Sequence, residues 1–179
     1  MADYNKIIDK YYPVGSPLRD IYLRHCQGVA EMAVEIVRAK RLPLSEEEVR
    51  EAAMLHDIGV FMTDAPSIEC HGTEPYIRHG ILGAELLRRE GYPEADARVA
   101  ERHTGSGLTR AEIEARDLPL PHIDLVPETL LERVVCYADK FYSKSGDMER
   151  KSIDEVERSM QRFGDATMQR FLKLKAEFS

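Results

Sequence analysis

Residues 45–59 read Ser-Glu-Glu-Glu-Val-Arg-Glu-Ala-Ala-Met-Leu-His-Asp-Ile-Gly. Ser45 followed three residues later by Glu48 has the form of a capping box, in which hydroxyl and carboxylate satisfy each other's backbone N–H groups at a helix start. Val49, Ala53 and His56 then recur at spacings of four and three, which is one face of a helix. Gly59 suits its end. The stretch predicts a helix over about 45–57 with a histidine on its apolar stripe and an aspartate directly after it.

The same spacing extends outward on both sides. Leu18, Ile21, Tyr22, Val29, Met32, Ala33 and Ile36 form the stripe of a helix over about 18–41. A helix over about 77–90 is stopped by Gly91 and Pro93, and another covers about 94–103. Thr109 with Glu112 can cap a short helix, and a longer one spans about 128–144. Ser152 with Glu155 opens the next, and the last runs from 165 to the end. No segment alternates cleanly at period two. The expected fold is all-α, a bundle with two long loops at 59–76 and 117–127. It is read as one domain over 1–179, with a core at about 18–145 and a C-terminal helical pair over 147–179. That pair either packs on the bundle or serves a homodimer interface.

The chain has 179 residues, 43% hydrophobic and 32% charged, the balance of an ordinary globular protein. Its net charge of −7 excludes a general nucleic-acid binder, which would carry a basic stripe. It also means that an anionic substrate needs a local source of positive charge. Cys26, Cys70 and Cys136 are odd in number with no CxxC spacing, which argues against a disulfide scaffold or a zinc ribbon. No signal peptide or apolar membrane-spanning stretch is read, so the expected compartment is the cytoplasm, with no membrane partner.

Four of the six histidines fall at inward-facing positions. His25 lies between Tyr22 and Val29, His56 follows Ala53, His79 precedes Leu82 and Leu86, and His103 follows Val99 and Ala100. Asp139 is four beyond Val135, on the face of its helix that should be buried, and Asp57 directly follows His56. One histidine on an apolar stripe is ordinarily a satisfied core residue. Four from four helices, with two carboxylates, would share the centre of a small bundle. A buried carboxylate without a partner costs several kcal/mol, on the order of a lost ion pair. A cation resolves that cost, and imidazole with carboxylate suits Fe, Mn, Zn, Co or Ni.

The order His25, His56-Asp57 within His-Asp-Ile-Gly, and Asp139 within Tyr-Ala-Asp-Lys resembles the HD-domain (HDIG) metal-dependent phosphohydrolase superfamily, over about residues 18–145. The resemblance implies an HD-domain helical bundle and a metal site of His25, His56, Asp57 and Asp139. Two-metal members add two histidines, which His79 and His103 match, as in the bacterial HD hydrolases that split diadenosine tetraphosphate symmetrically. In them the residue matching Asp57 bridges the ions, which implies the same catalytic role here. The implied cofactors are two divalent metals, Fe first, with Mn, Zn, Co or Ni as alternatives. A one-metal site, with His79 and His103 on the phosphate, remains open.

The implied reaction is hydrolysis of a phosphoester or phosphoanhydride by a metal-activated water. The expected partner is a small phosphorylated substrate of nucleotide type. Lys140, Lys144, Arg78, Arg102 and His71 are the candidate substrate contacts. The first four could equally be solvated cations, and His71 a plain surface histidine; Arg78 and Arg102 adjoin ligand positions, about 100° around the helix. His122 is read as structural or lid-like. Gly105-Ser106-Gly107 could offer N–H groups to phosphate but reads first as a turn. Two other functions stay open: a di-iron HD-fold oxygenase and a non-catalytic nucleotide-sensing HD domain.

Overall fold

Every helix here ends in a change of local chemistry, and those ends place the site. In the computed structural model, which describes residues 3–179, helix α1 spans Tyr4–Tyr11, α2 Pro17–Lys40 and α3 Glu46–Leu55. Helices α4 (His79–Arg89), α5 (Glu94–Arg102) and α6 (Arg110–Ala115) follow, then α7 (Leu130–Asp139), α8 (Ile153–Gln161) and α9 (Asp165–Phe178). The capping boxes at Thr109 and Ser152 are complete. At Ser45 the hydroxyl accepts from the Glu48 N–H. Ser16 and Thr129 cap α2 and α7 in the same way.

Three features depart from the sequence reading. Helix α1 was not expected, because its eight residues offer only Ile7 and Ile8 as buried side chains. The first long loop is ordered by short 3₁₀ turns and a two-residue antiparallel ladder, β1 (Asp64–Ala65) against β2 (Cys70–His71), too short to show period two. Helix α7 ends at Asp139 instead of continuing to 144, so Lys144 is not one helical turn beyond Lys140. The chain turns back there, and the Lys151 N–H reaches the Phe141 carbonyl.

Helix α2 packs on α3 and α7, α4 on α5, and α5 on α3 and α7, while α9 lies against α7 and α8. One core runs through all these contacts, and a smaller one joins Ile81, Leu108, Ile113, Leu120 and Leu125 under the second long loop. Gly59 and Gly83 set how closely α4 approaches the turn after α3. A Cβ on Gly59 would lie 2.3 Å from the His79 carbonyl oxygen and 2.4 Å from the Gly83 nitrogen. Gly80 does the same for α5, where a Cβ would lie 2.6 Å from the Ala100 oxygen. The three cysteines are buried and unbonded. Among the described residues, no helix is long and apolar enough to cross a membrane.

Asp96, in the first turn of α5, is a buried carboxylate away from the histidines, only 3% exposed, and its Oδ2 lacks a hydrogen-bond partner. Burial, with Glu51 and Glu48 beside it, pushes its pKa up to about 7. An acid raised in the folded state contributes stability that is full below its unfolded pKa of about 4 and is lost as pH rises toward 7. Asp96→Asn, which cannot ionise, is therefore expected to be more stable than the parent at pH 8 by about 2–4 kcal/mol. The two should converge at pH 4, as checked by urea unfolding at both pH values.

Candidate metal centre

The centre is assembled from helix ends. His25 projects from the middle of α2, while His56 closes α3 and Asp57 follows it. His79 begins α4, His103 closes α5 and Asp139 is the last residue of α7. All six are buried. A helix terminus leaves backbone carbonyls without partners. His56 Nδ1 and His103 Nδ1 each donate to such a carbonyl three residues back, Ala53 at 2.6 Å and Ala100 at 2.8 Å. His79 Nδ1 donates to the Tyr76 carbonyl at 2.7 Å. A carbonyl only accepts, so Nδ1 carries the proton in each ring and Nε2 turns its lone pair to the centre. His25 Nδ1 has no hydrogen-bond partner.

The inward atoms form two groups joined at Asp57. In the first, His25 Nε2 lies 3.1 Å from both Asp57 Oδ2 and Asp139 Oδ1, and His56 Nε2 lies 3.4 Å from the same two oxygens. The two Nε2 atoms are 3.2 Å apart. In the second, Asp57 Oδ1 lies 3.2 Å from His103 Nε2 and 3.5 Å from His79 Nε2, with 3.0 Å between the two nitrogens. Metal–nitrogen bonds of about 2.0–2.1 Å place neighbouring ligand atoms roughly 3.0–3.4 Å apart around one ion. The side chains therefore fit a divalent metal in each group.

The charges agree. Burial lowers His79 to about 3 and also lowers His103, so both are neutral near pH 7. Two neutral rings then face each other with lone pairs 3.0 Å apart, beside an Asp57 Oδ1 that accepts no hydrogen bond. A cation placed among those three atoms would satisfy all of them. Burial alone would raise Asp57 and Asp139. Lys144 and His56 hold Asp57, and Lys140, His25 and His56 hold Asp139, well below the usual carboxylate range. His56 would be depressed by burial, but Asp57 and Asp139 raise it well above its ordinary value. The field that draws a proton there also draws a metal ion.

The substrate contacts expected from the sequence separate into two sets. Lys140 Nζ donates to Asp139 Oδ2 at 2.6 Å and to the His103 carbonyl at 2.9 Å. Lys144 Nζ forms an ion pair with Asp57 Oδ2 at 2.5 Å. Both lysines line the cleft above the cluster. Burial would lower them, but the neighbouring carboxylates raise both. Arg78, Arg102 and His71 do not line it. Arg78 pairs with Glu74 at 2.8 Å, and Arg102 with Glu128 at 2.7 Å. His71 is exposed, 3.6 Å from Glu69, and His122 is likewise exposed, 3.6 Å from Glu114. The cleft also draws on Tyr76, at the end of the first long loop, and on Lys151 and Phe163 of the C-terminal segment, none of which the sequence marks as a substrate contact. Tyr76 stacks on the His79 ring with centroids 4.7 Å apart.

The HD domain family matches residues 22–143 of the chain, which contain all six residues. An uncharacterised protein of Methanocaldococcus jannaschii is 39% identical over 137 residues, 75% of this chain and 72% of that protein. Two proteins named tRNA (cytidine(56)-2'-O)-methyltransferase also match. That of Picrophilus torridus is 36% identical over 69% of this chain, and that of Thermoplasma volcanium 31% identical over 97%. The matched parts are 32% and 46% of those two proteins, so most of each lies outside the likeness. Among solved structures, the HD domain of the L. monocytogenes phosphodiesterase PgpH shares the fold, with a TM-score of 0.58 at 15% identity over 97% of this chain and 95% of that one. With the family matched over residues 22–143, more than half of the chain and all six clustered residues, the chain belongs to the HD domain family.

Proposed function

We propose that the protein is a metal-dependent phosphohydrolase that cleaves a phosphoester or phosphoanhydride bond in a nucleotide-type substrate, a dinucleoside polyphosphate being the first to test. The observation that carries the reading is the pair of neutral rings, His79 and His103, facing each other at 3.0 Å beside an unpartnered Asp57 oxygen. His25, His56 and Asp139 would hold one divalent ion, His79 and His103 the other, and Asp57 would give one oxygen to each. Fe is the first candidate, then Mn, Zn, Co or Ni. Two such ions supply a water of lowered pKa and positive charge for the phosphate oxygens.

The chain's own groups complete the site. The carbonyl bonds at Nδ1 fix three ring orientations, so Nε2 of His56, His79 and His103 faces the centre before any ion arrives. Lys140 and Lys144 add two ammonium groups on the cleft side of the carboxylates. These two ammonium groups offset the two carboxylates, so the proposed divalent ions would supply the local excess of positive charge that a chain of net −7 needs for an anion. The methyl transfer in the names of two relatives belongs to proteins more than twice as long as the shared segment, and the reading rests on the site instead.

Protein purified without chelator is expected to carry about two equivalents of divalent metal and to release phosphate from a nucleotide panel. Elemental analysis and a phosphate-release screen on one sample check both. A fully loaded protein that hydrolyses none of the panel, or a two-iron protein that consumes oxygen instead, would overturn the reading.

A further inference from the structure

The cleft above the histidines has two lobes. The larger, about 560 Å³, is lined by Lys140, Lys144, Lys151 and the serines 143, 145 and 159. The smaller, about 270 Å³, is mostly apolar, with Ile77 and Leu108 in its wall beside Thr167 and one cation of its own, Arg116. The lobes share Tyr76, Gly105, Asp139, Lys140, Lys144 and Phe163, so they meet over the metal ligands. A group held at the ligands thus has the lobe of Lys151 and the serines on one side and the more apolar lobe of Ile77 and Leu108, with Arg116 in its wall, on the other.

The three lysines of the larger lobe are not equivalent. Lys140 and Lys144 are held by Asp139 and Asp57. Lys151 is half-buried, and among the described residues no carboxylate lies within ion-pair distance of it. Burial pushes its pKa down, a loss of water that the more distant Asp139 and Glu155 only partly offset. The apolar side has an equally unexplained group. Of the large apolar side chains that stand exposed, two, Tyr76 at 37% and Phe163 at 55%, line this cleft. Phe163 is carried there by the turn between α8 and α9, which Gly164 makes with a φ of 101°.

We infer that the cleft binds a two-ended phosphate, with a second anionic phosphate at Lys151 in the larger lobe and an apolar or aromatic ester group in the smaller lobe against Phe163. The inference rests on the proposed hydrolase site for the position of the reacting phosphate, and it narrows the substrate from any phosphoester to an organic diphosphate. Lys151 and Phe163 then set specificity, while the six ligands set the reaction.

Calorimetric titration of the metal-loaded protein with uncleavable phosphonates tests this without turnover. Methylphosphonate fills the metal position alone, phenylphosphonate adds a ring, and methylenediphosphonate adds a second anion, with bound metal measured before and after. Methylenediphosphonate is expected to bind roughly tenfold or more tighter than methylphosphonate, the worth of one charge-assisted contact. Lys151→Ala should erase that advantage and leave methylphosphonate within about twofold, since the variant touches no ligand. Phe163→Ala should erase the advantage of phenylphosphonate. Unchanged preferences in both variants would overturn the assignment. If no phosphonate binds the loaded protein, the assignment and the hydrolase reading both fall. If the binding preferences hold but no phosphate ester is cleaved, the hydrolase reading alone falls.

Discussion

Asp57→Ala is expected to abolish metal retention in both groups and to lower turnover by roughly 10³-fold or more, because a water without its metal reverts toward its ordinary pKa. The expectation follows from the two carboxylate oxygens facing different histidine pairs, Oδ2 toward His25 and His56 and Oδ1 toward His79 and His103. Removing any one histidine leaves one group complete; removing Asp57 leaves neither. The variant also strands Lys144, whose Nζ lies 2.5 Å from Asp57 Oδ2, so some loss of stability is expected. Asp57→Asn keeps the volume and one oxygen acceptor while losing the charge, and it separates misfolding from loss of metal. Metal analysis, steady-state rates and circular dichroism on both variants provide the check. A folded Asp57→Asn protein that keeps its metal and its rate would show that Asp57 is not the shared ligand.

Gly59→Ala should act on stability and on one half of the site together. Gly59 has an ordinary φ of −86°, so backbone strain is not the reason. Space is the reason, since an added Cβ meets the His79 carbonyl and the Gly83 backbone at 2.3–2.9 Å. Neither can give way as a flexible side chain would, so α4 must move outward. The expected cost is about 3 kcal/mol, with Tm falling by roughly 6–12 °C for a chain of this length. Because His79 begins α4, its nitrogen moves with the helix, and the His79/His103 group should lose metal before the His25/His56/Asp139 group does. Scanning calorimetry and the metal count per chain measure the two effects. A variant of unchanged Tm and metal content would show that the contact is not tight.

The sequence was most informative where periodicity governs position. His25, His56, His79, His103 and Asp139 sit on apolar stripes, so helical spacing alone turns them inward, and the structure brings all of them to Asp57. Capping residues placed the starts of α3, α6 and α8 for the same local reason. Lys144, Lys151, Tyr76 and Phe163 reach the cleft through turns, whose direction no repeating pattern encodes. Lys144 shows the difference: the helix ends at Asp139, and the irregular segment after it brings Lys144 to Asp57. Arg78 and Arg102 adjoin ligands in sequence yet turn to Glu74 and Glu128, as a 100° step around a helix requires.

The two halves of the centre have different architectural origins. His25 and His56 come from the consecutive helices α2 and α3 with Asp139 added from the distant α7, whereas His79 and His103 both come from the consecutive pair α4–α5, closed on itself through Gly80. A hairpin of local contacts can open as a cooperative unit without global unfolding. With metal bound as proposed, the His79/His103 half would be expected to empty and refill as that pair undocks from α3 and α7, while the first half stays assembled. Exchange kinetics at the two halves would then be set by separate free energies, the first by the stability of the whole bundle and the second by the docking of one hairpin.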